Sequence, residues 1–438
     1  MNLRYFHVSA VCMLAVFLYL GCNSVIAAPD KHNEDACRSA FEENPKARDP
    51  AKSTPLVMAI FGDSIMWGQG LKERDKFWCR TKQWLELKTG REVKHHPYAH
   101  AGAVIEEESL LSQPLGKDSY EFVLKVTEEG KEVNVSFPTI IQQVDTAAKQ
   151  FEERSEKVDL VLVDGCINDL NLRTLLNAGK TEEEIETQTV TFCHNPMDRL
   201  LRRINEKFPN AYVVVTGYYP LVYKGVPIEK NRKTEYKNGT AKNRLTEYLV
   251  KILGKNPTCA NPEEDTFVCL DRLSRAWHEA SNKALKDAVK EVNASIGVDK
   301  ELMHFAELHF PPEYGFSTKQ TMLWNIRFGA TNAGGLRKVV AVMLDVFRAL
   351  DTNDDTWDLR EKQCGASEEK LNKRLRQLSD PVQKKTVKDQ LQWFESICKR
   401  GSLAHPNKFG AALYAQSIIG RLDSILAQTR WLEPDGVK

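Results

Sequence analysis

Residues 56–64, which read LVMAIFGDS, place a run of apolar side chains directly before a Gly-Asp-Ser turn. An apolar run of this length, bounded by turn residues, is typical of a strand that is buried on both faces of a parallel sheet. In α/β folds the functional side chains lie where such strands end. We therefore expect Ser64 to follow a central strand, in a position suited to a nucleophile.

Three further segments place informative residues where a predicted strand ends or a helix begins. Gly102 follows the predicted strand 92–98, and a glycine there lets a backbone N–H approach a ligand closely. Asn168 follows the apolar segment Leu160–Val163, and His405 precedes a long helical pattern. Together the four segments supply Ser, Gly, Asn and His, which are the groups that acyl transfer needs.

In the order and setting of these segments the chain resembles the SGNH hydrolases, also called the GDSL esterase and lipase family. The resemblance spans residues 56 to about 426 and implies a flavodoxin-like three-layer α/β/α sandwich with a mostly parallel central sheet. It implies Ser64 as the nucleophile and His405 as the base. It also implies an oxyanion hole made by the backbone N–H groups of Ser64 and Gly102 with the Asn168 amide. No cofactor is implied.

Two positions depart from the pattern of that family. Ile65 replaces a leucine of similar volume, which changes little. Ser402 occupies the position three residues before His405, where the family usually carries Asp. A serine hydroxyl cannot stabilise an imidazolium as a carboxylate does. The sequence leaves open a Ser-His dyad, a distant carboxylate that completes a triad, or a weak enzyme.

Each candidate residue also has a structural interpretation. Asp63 and Asp169 are interpreted as supporting residues that fix their loops by accepting backbone hydrogen bonds. Asn168 alone is compatible with an ordinary turn residue, and His405 with an ordinary residue at a helix start. No set of histidine, cysteine and carboxylate residues has the spacing of a metal site, so no metal is predicted.

The N-terminal segment predicts export. Residues 1–28 combine Arg4, an apolar stretch and a small-residue site at Ala27 and Ala28, the layout of a secretory signal peptide. The apolar stretch is too short for a membrane span. The segment around Cys22 also resembles a lipoprotein cleavage site, so a membrane association would arise only through a lipid anchor at Cys22. We expect a secreted or periplasmic protein.

Cysteine usage agrees with export. The chain has ten cysteines, and eight remain if the signal peptide is removed, an even number that suits disulfides. The nearest neighbours along the chain give three candidate pairs: Cys166 with Cys193, Cys259 with Cys269, and Cys364 with Cys398. Asn134, Asn238 and Asn293 lie in glycosylation tripeptides.

The charge balance limits the partners. With 61 basic and 60 acidic residues, the chain has no overall field to attract nucleic acid. The expected partner is a small-molecule or polymer-borne ester. The oligomeric state is not predicted.

The length of the chain would suit two domains, but the layout of the motifs favours one expanded domain. Residues 29–55 are assigned as a linker, 56–430 as an SGNH hydrolase-like domain, and 431–438 as a tail. Helical insertions are expected between about residues 221 and 399, where 336–350 and a segment from Asp380 carry apolar helical stripes. The predicted strands are Leu56–Phe61, 92–98, Leu160–Val163, Tyr212–Thr216 and 303–308, and the predicted helices of the sandwich are 139–153, Asn195–Lys207 and 276–292.

These features favour an exported serine ester hydrolase that acts on an acyl or acetyl ester of a lipid or a carbohydrate. Two alternatives keep the fold without turnover. One is a catalytically weak or inactive protein that binds lipid or glycan, and the other uses the inserted helices for protein contacts. Fold alone does not separate the three.

Overall fold

A parallel β-sheet lies at the centre of the structure, which is a computed structural model. The structure describes residues 36–106 except 53, 138–224 except 171 and 176, and 259–297 except 262, 263 and 265, followed by 301–324 except 317 and 319, 354–391 except 382, 386, 389 and 390, and 401–428. The chain divides into two compact units, residues 1–37 and residues 38–438, and the description below concerns the second.

Five parallel strands form the sheet, in the spatial order β2-β1-β3-β4-β5. The three central strands, β1, β3 and β4, consist mostly of apolar and β-branched residues, and β1 and β3 are buried along their whole length, as expected for strands covered on both faces. The strands are β1 (Leu56–Phe61), β2 (Val93–Pro97), β3 (Leu160–Val163), β4 (Tyr212–Thr216) and β5 (Met303–Ala306).

Helices cover both faces of this sheet, which makes a three-layer α/β/α sandwich. Helices α3 and α11 pack against each other on one side, while α4 packs on α8 and α8 on α9. The helices are α1 (Ala40–Glu43), α2 (Ser64–Trp67), α3 (Phe77–Thr89), α4 (Ile140–Glu153), α5 (Ile167–Leu170), α6 (Leu172–Leu175), α7 (Glu182–Thr189), α8 (Asn195–Lys207), α9 (Thr266–Ile296), α10 (Trp357–Gln377) and α11 (Lys408–Gln428).

The strand order places a topological switch point between β1 and β3. From β1 the chain crosses to β2 on one side, and it then returns to β3 on the other. The loops that leave β1 and β3 therefore separate, and in open α/β sheets ligands bind in the crevice that this leaves at the carboxyl ends of the strands. Ser64 follows β1 and Asn168 follows β3, so both lie at this edge.

The predicted fold class is confirmed, and the strand bounds differ by two residues or fewer at each end. β5 ends at Ala306, and the predicted helix at 276–292 begins earlier, at Thr266. The added turns of α9 bury Cys269, Leu270 and Leu273, and α9 packs there against α7. Tertiary burial therefore extends a helix whose first turns carry little helical signal of their own.

The disulfide prediction is confirmed for one pair and wrong for another. Cys166 and Cys193 are joined by a disulfide. Cys259 and Cys269 are both buried thiols, and burial is the largest cause that raises the pKa of the Cys259 thiol to about 12. Cys37, Cys79 and Cys364 are also disulfide-bonded, while Cys398 lies outside the described residues.

Several further predictions lie wholly or largely outside the described residues: the signal peptide 1–28 with Cys22, the helix at 336–350, the tail 431–438, and the glycosylation tripeptides at Asn134 and Asn238. Asn293 is described. Its amide donates to Met303 O at 2.7 Å and its carbonyl accepts from Met303 N at 3.0 Å, so this side chain fastens α9 to β5. In the described ranges, no helix combines the length and the apolar character that a membrane crossing needs.

Candidate active site

The turn after β1 presents Ser64 at the edge of the sheet. Ser64 is the first residue of α2, and the preceding Asp63 caps this short helix by accepting a hydrogen bond from Ile65 N at 2.8 Å. The serine is 5% exposed, so its hydroxyl lies in a largely desolvated setting. The sequence folds this way because the apolar strand stops at a glycine and an N-cap residue follows directly.

Two side chains from other elements hold the same turn. Gln143 of α4 accepts from Gly62 N at 2.9 Å and donates to Gly62 O at 3.0 Å. Asp164, which directly follows β3, accepts from Asp63 N at 2.9 Å. Gly62 has a φ of +152°, and a Cβ atom there would lie 2.0 Å from Asp164 Oδ1. A glycine is therefore required for the close approach of the two loops.

His405 reaches Ser64 from the opposite end of the sequence. Its Nε2 lies 2.7 Å from Ser64 Oγ, although the two residues are 341 positions apart. Its Nδ1 lies 3.2 Å from Leu403 O. Because a carbonyl oxygen only accepts, Nδ1 carries the proton in this arrangement and Nε2 is left to accept from the serine hydroxyl. This is the tautomer that a general base for Ser64 requires.

The environment of His405 favours the neutral imidazole. Burial lowers the pKa of the half-buried ring to about 4. The Leu403 carbonyl opposes this by accepting from the ring, and the positive charge of Arg360 adds to it. His405 is thus held in the form that can accept a proton over the whole neutral range.

Gly102 lies in the loop that follows β2, and Asn168 lies in α5, which follows β3. Gly102 has a left-handed φ of +76°, and within the described residues neither its N–H nor that of Ser64 has a hydrogen-bond acceptor. Asn168 donates through Nδ2 to Ala103 O at 2.9 Å, which fixes its amide against the Gly102 loop. The Cys166–Cys193 disulfide ties the segment before Asn168 to the π-helix that precedes α8.

The remaining predicted residues have supporting positions. Asp169 is buried and accepts from Ile105 N at 3.0 Å, which fixes the segment that follows Gly102. Ser402 is fully buried, and its hydroxyl donates to Asp354 Oδ2 at 2.6 Å. Asp63, besides capping α2, accepts from the Tyr218 hydroxyl at 3.1 Å.

Two carboxyl groups lie buried beneath the serine. Burial is the largest cause that raises the pKa of Asp63, to about 6. Burial, followed by the nearby charge of Asp63, raises the pKa of Asp164 well above its usual range. Burial, together with the repulsion between two nearby carboxylates, therefore disfavours the state in which both groups are ionised.

Several residues that contact the site are not assigned to it by the sequence, although the aromatic segment with Tyr218 and Tyr219 favours a packing role. Gln143 lies on the buried face of α4, where a polar residue is unusual and indicates a specific hydrogen-bonding role. Tyr219 donates to Ala404 O at 2.7 Å, and both Tyr218 and Tyr219 are buried, so the aromatic segment after β4 packs against the site from behind. Asp354 lies in the acidic segment 351–355, which begins like a calcium-binding loop. The sequence does not predict calcium there, because the glycine and the glutamate that such a loop requires are absent.

Among described residues one set of potential metal ligands comes together. The ligand atoms of Cys259, Glu264 and Cys269 lie within 4.8 Å of one another. Glu264 is ion-paired with Arg272 at 3.0 Å, so its carboxylate already has a cation.

No family model and no curated protein matches this chain. A lipase from a goat rumen metagenome, Lip_vut3, is similar at 17% identity and a TM-score of 0.29, over 58% of this chain and 80% of that one. The phospholipase A1 of Streptomyces albidoflavus NA297 is similar at 12% identity and 0.30, over 64% and 91%. The acetyl xylan esterase Est2A of Butyrivibrio proteoclasticus is similar at 12% identity and 0.27, over 58% and 55%.

At these identities and scores the similarities carry no argument about activity. The strand order β2-β1-β3-β4-β5 of this chain itself is that of a flavodoxin-like α/β/α sandwich with a parallel central sheet.

Proposed function

We propose that the protein is an exported serine ester hydrolase, with Ser64 as the nucleophile and His405 as the general base. The observation that carries the proposal is the 2.7 Å contact between His405 Nε2 and Ser64 Oγ. A hydroxyl is a weak nucleophile at neutral pH, and a neutral imidazole within hydrogen-bond reach is the usual means of activating it.

The proposed reaction has two halves. Ser64 Oγ attacks the ester carbonyl carbon while its proton passes to His405 Nε2, and the imidazolium then protonates the leaving alcohol. Water, deprotonated by the same nitrogen, hydrolyses the acyl-enzyme and releases the carboxylic acid. The negative oxygen of each tetrahedral intermediate is stabilised by the N–H groups of Ser64 and Gly102 and by the Asn168 amide.

The base is oriented by a main-chain carbonyl instead of a carboxylate. Leu403 O fixes the Nδ1 proton, as the third member of a triad does, but it carries only a partial negative charge. The imidazolium is therefore stabilised less than in a triad with aspartate. We expect a working base with an acid limb below the ordinary histidine range, in line with the lowered pKa of His405.

The proposed location is outside the cytoplasm. The Cys166–Cys193 disulfide supports it, because disulfides persist in oxidising compartments, and so does the signal-like segment at residues 1–28. For the substrate we propose an acyl or acetyl ester carried by a lipid or a carbohydrate. A panel of esters that differ in acyl length separates these classes, since only a lipase-type site gains activity as the chain grows.

A fluorophosphonate probe tests the nucleophile directly. Its phosphorus forms a bond with an activated serine oxygen as fluoride leaves. We expect one equivalent of label on Ser64, no label in Ser64→Ala, and a fall of at least about 10³-fold in kcat for Ser64→Ala and His405→Ala. His309→Ala, which changes an exposed histidine, is the matched control and should keep the wild-type rate.

The same experiment decides between turnover and binding. A folded wild-type protein that neither labels nor hydrolyses any ester of the panel contradicts the proposal. That outcome would favour a lipid- or glycan-binding protein, for which Ser402 in place of the family aspartate is the motivating observation.

A further inference from the structure

Ser402 connects the histidine loop to a buried carboxylate from another part of the chain. Its hydroxyl donates to Asp354 Oδ2 at 2.6 Å, and Asp354 precedes α10, which lies far from His405 in the sequence. The side chains of Ser402 and Asp354 are both buried. The family carries an aspartate at the position of Ser402. Here the carboxylate belongs to Asp354 instead, and the Ser402 hydroxyl lies between it and the histidine loop.

The same carboxylate is paired with a buried guanidinium. Arg360 of α10 donates through Nη2 to Asp354 Oδ2 and, at 3.1 Å, to Ser402 Oγ. The side chains of Arg360 and Asp354 are 0% exposed. Burying two charges costs desolvation free energy, so a buried ion pair is weak evidence for a role in stability alone. The remaining oxygen of Asp354 accepts from Thr356 N at 3.1 Å and Thr356 Oγ1 at 3.0 Å, which fixes its direction.

A short turn links Ser402 to the base. His405 N donates to Ser402 O at 2.9 Å, which closes the turn 402–405. Ala404 within it has a φ of +62°, an uncommon conformation for a residue with a Cβ atom, which the surroundings must hold in place. This turn directs Leu403 O at His405 Nδ1. Fixing Ser402 therefore fixes the carbonyl that orients the imidazole.

We propose that the Asp354–Arg360 ion pair is a positioning device for His405, which acts through Ser402 and takes over the orienting task of the missing aspartate. The inference rests on the proposed function, because it assigns a role relative to His405 as the base. Asp354 and Arg360 touch neither Ser64 nor a reacting atom in this arrangement, so they are positioning residues and not catalytic ones.

The two charges act on the imidazole in opposite directions. The positive charge of Arg360 lowers the pKa of His405, and the negative charge of Asp354 raises it. Three further charged groups lie on neighbouring segments: Lys408 of α11 contacts Asp355 at 3.1 Å and Asp75 at 3.5 Å. These three are left unchanged in the variants below, so any opposite shifts arise from the pair itself.

The test is the pH profile of kcat/KM for the wild type, Asp354→Asn and Arg360→Gln, with each preparation corrected for its active fraction by fluorophosphonate titration. We expect kcat to fall about 10- to 100-fold in both variants with KM within about twofold, because orientation and not substrate binding is lost. We expect the acid limb to move to lower pH in Asp354→Asn and to higher pH in Arg360→Gln. Arg360→Lys, which keeps the charge, should leave the acid limb near that of the wild type.

A charge relocation gives a second, independent readout. Ser402→Asp alone places a second carboxylate against Asp354 and should reduce the active fraction strongly. Ser402→Asp combined with Asp354→Asn transfers the carboxylate from residue 354 to residue 402, which lies in the same turn as His405. This double variant should recover kcat to within about tenfold of the wild type. A double variant no better than the worse single variant contradicts the proposal.

The outcomes separate the two proposals. A wild-type protein that hydrolyses esters, with acid limbs that coincide in Asp354→Asn and Arg360→Gln, overturns the positioning role and leaves the proposed function intact. Purely structural residues would lower the active fraction without moving the acid limb, and that result also overturns the inference. A wild type without labelling or hydrolysis overturns the proposed function itself.

Discussion

The serine side and the histidine side of the candidate site are built in different ways. Ser64 follows a buried strand within a few residues, and its turn is shaped by Gly62 and by the Asp63 cap. His405 lies in a turn whose conformation depends on distant residues, among them Asp354 and Tyr219. The conformation around Ser64 is therefore determined mainly by neighbouring residues of the sequence. The position of His405 depends on contacts that form only when the sandwich has folded.

The largest expected effect comes from a substitution in the turn that holds Ser64. In Gly62→Ala the new Cβ atom would lie 2.0 Å from Asp164 Oδ1, at a φ of +152° that side chains rarely adopt. We expect a loss of about 3 to 5 kcal/mol in the free energy of unfolding, together with loss of activity. Urea unfolding measures it.

Gly420→Ala is the matched control, because this glycine lies within α11 with open space around its Cβ position. We expect that variant to gain about 0.5 to 1 kcal/mol. Equal unfolding midpoints for Gly62→Ala and the wild type would show that the two loops can separate without cost.

The second-largest expected effect concerns Asn168 of the proposed oxyanion hole. Asn168→Ala removes an amide that is fixed against Ala103 O at 2.9 Å. We expect kcat to fall about 10²- to 10³-fold with little change in KM, because in the proposed reaction the amide stabilises the tetrahedral oxygen and not the bound ester. Asn177→Ala, at an exposed turn, should keep the wild-type kcat. A fall of less than threefold in Asn168→Ala would remove this residue from the oxyanion hole.

The third effect is a pH dependence of stability on the serine side. Burial raises the pKa of Asp63 from 3.8 to about 6, so the native state binds this proton more tightly than the unfolded state. The contribution of Asp63 to stability is therefore fully present below pH 4 and is lost as pH rises through about 6. We expect Asp63→Asn, which stays neutral, to become more stable relative to the wild type over that window, by on the order of 2 kcal/mol.

Chemical denaturation at a series of pH values measures this difference. A free-energy difference between Asp63→Asn and the wild type that is constant from pH 4 to 6.5 would contradict the burial argument.

The smallest expected effect concerns the hydrogen bond that Tyr219 donates to the turn of His405. Tyr219→Phe removes a hydrogen bond to Ala404 O, and Tyr414→Phe removes one to Gly217 O, at 2.7 Å and 3.0 Å respectively. Both hydroxyls are buried, so each loss should cost about 1 kcal/mol of stability. Only Tyr219→Phe touches the turn of His405, so only this variant should lower kcat, by several-fold. Equal kcat values for the two variants would show that the turn keeps its shape without Tyr219.

Much of the fold could be read from the sequence because its signals are local. The apolar segments at β1, β3 and β4 gave their bounds directly, since a run of β-branched and apolar residues between turn residues has few other uses. The start of α9 was less predictable because its first turns are stabilised by burial against α7 rather than by their own pattern. The thiols of Cys259 and Cys269 show the same limit, because proximity along the chain does not fix which sulfur atoms become bonded.

By itself the sequence determined that a buried strand ends in a serine turn, since this follows from a local pattern of apolar and turn residues. Only the tertiary structure decided which groups lie beside and behind the His405 imidazole. Leu403 O faces the imidazole, and Asp354 with Arg360 stands behind Ser402. The physical reason is distance along the chain. Contacts between residues far apart in the sequence depend on the packing of whole elements, and no local propensity or spacing encodes them.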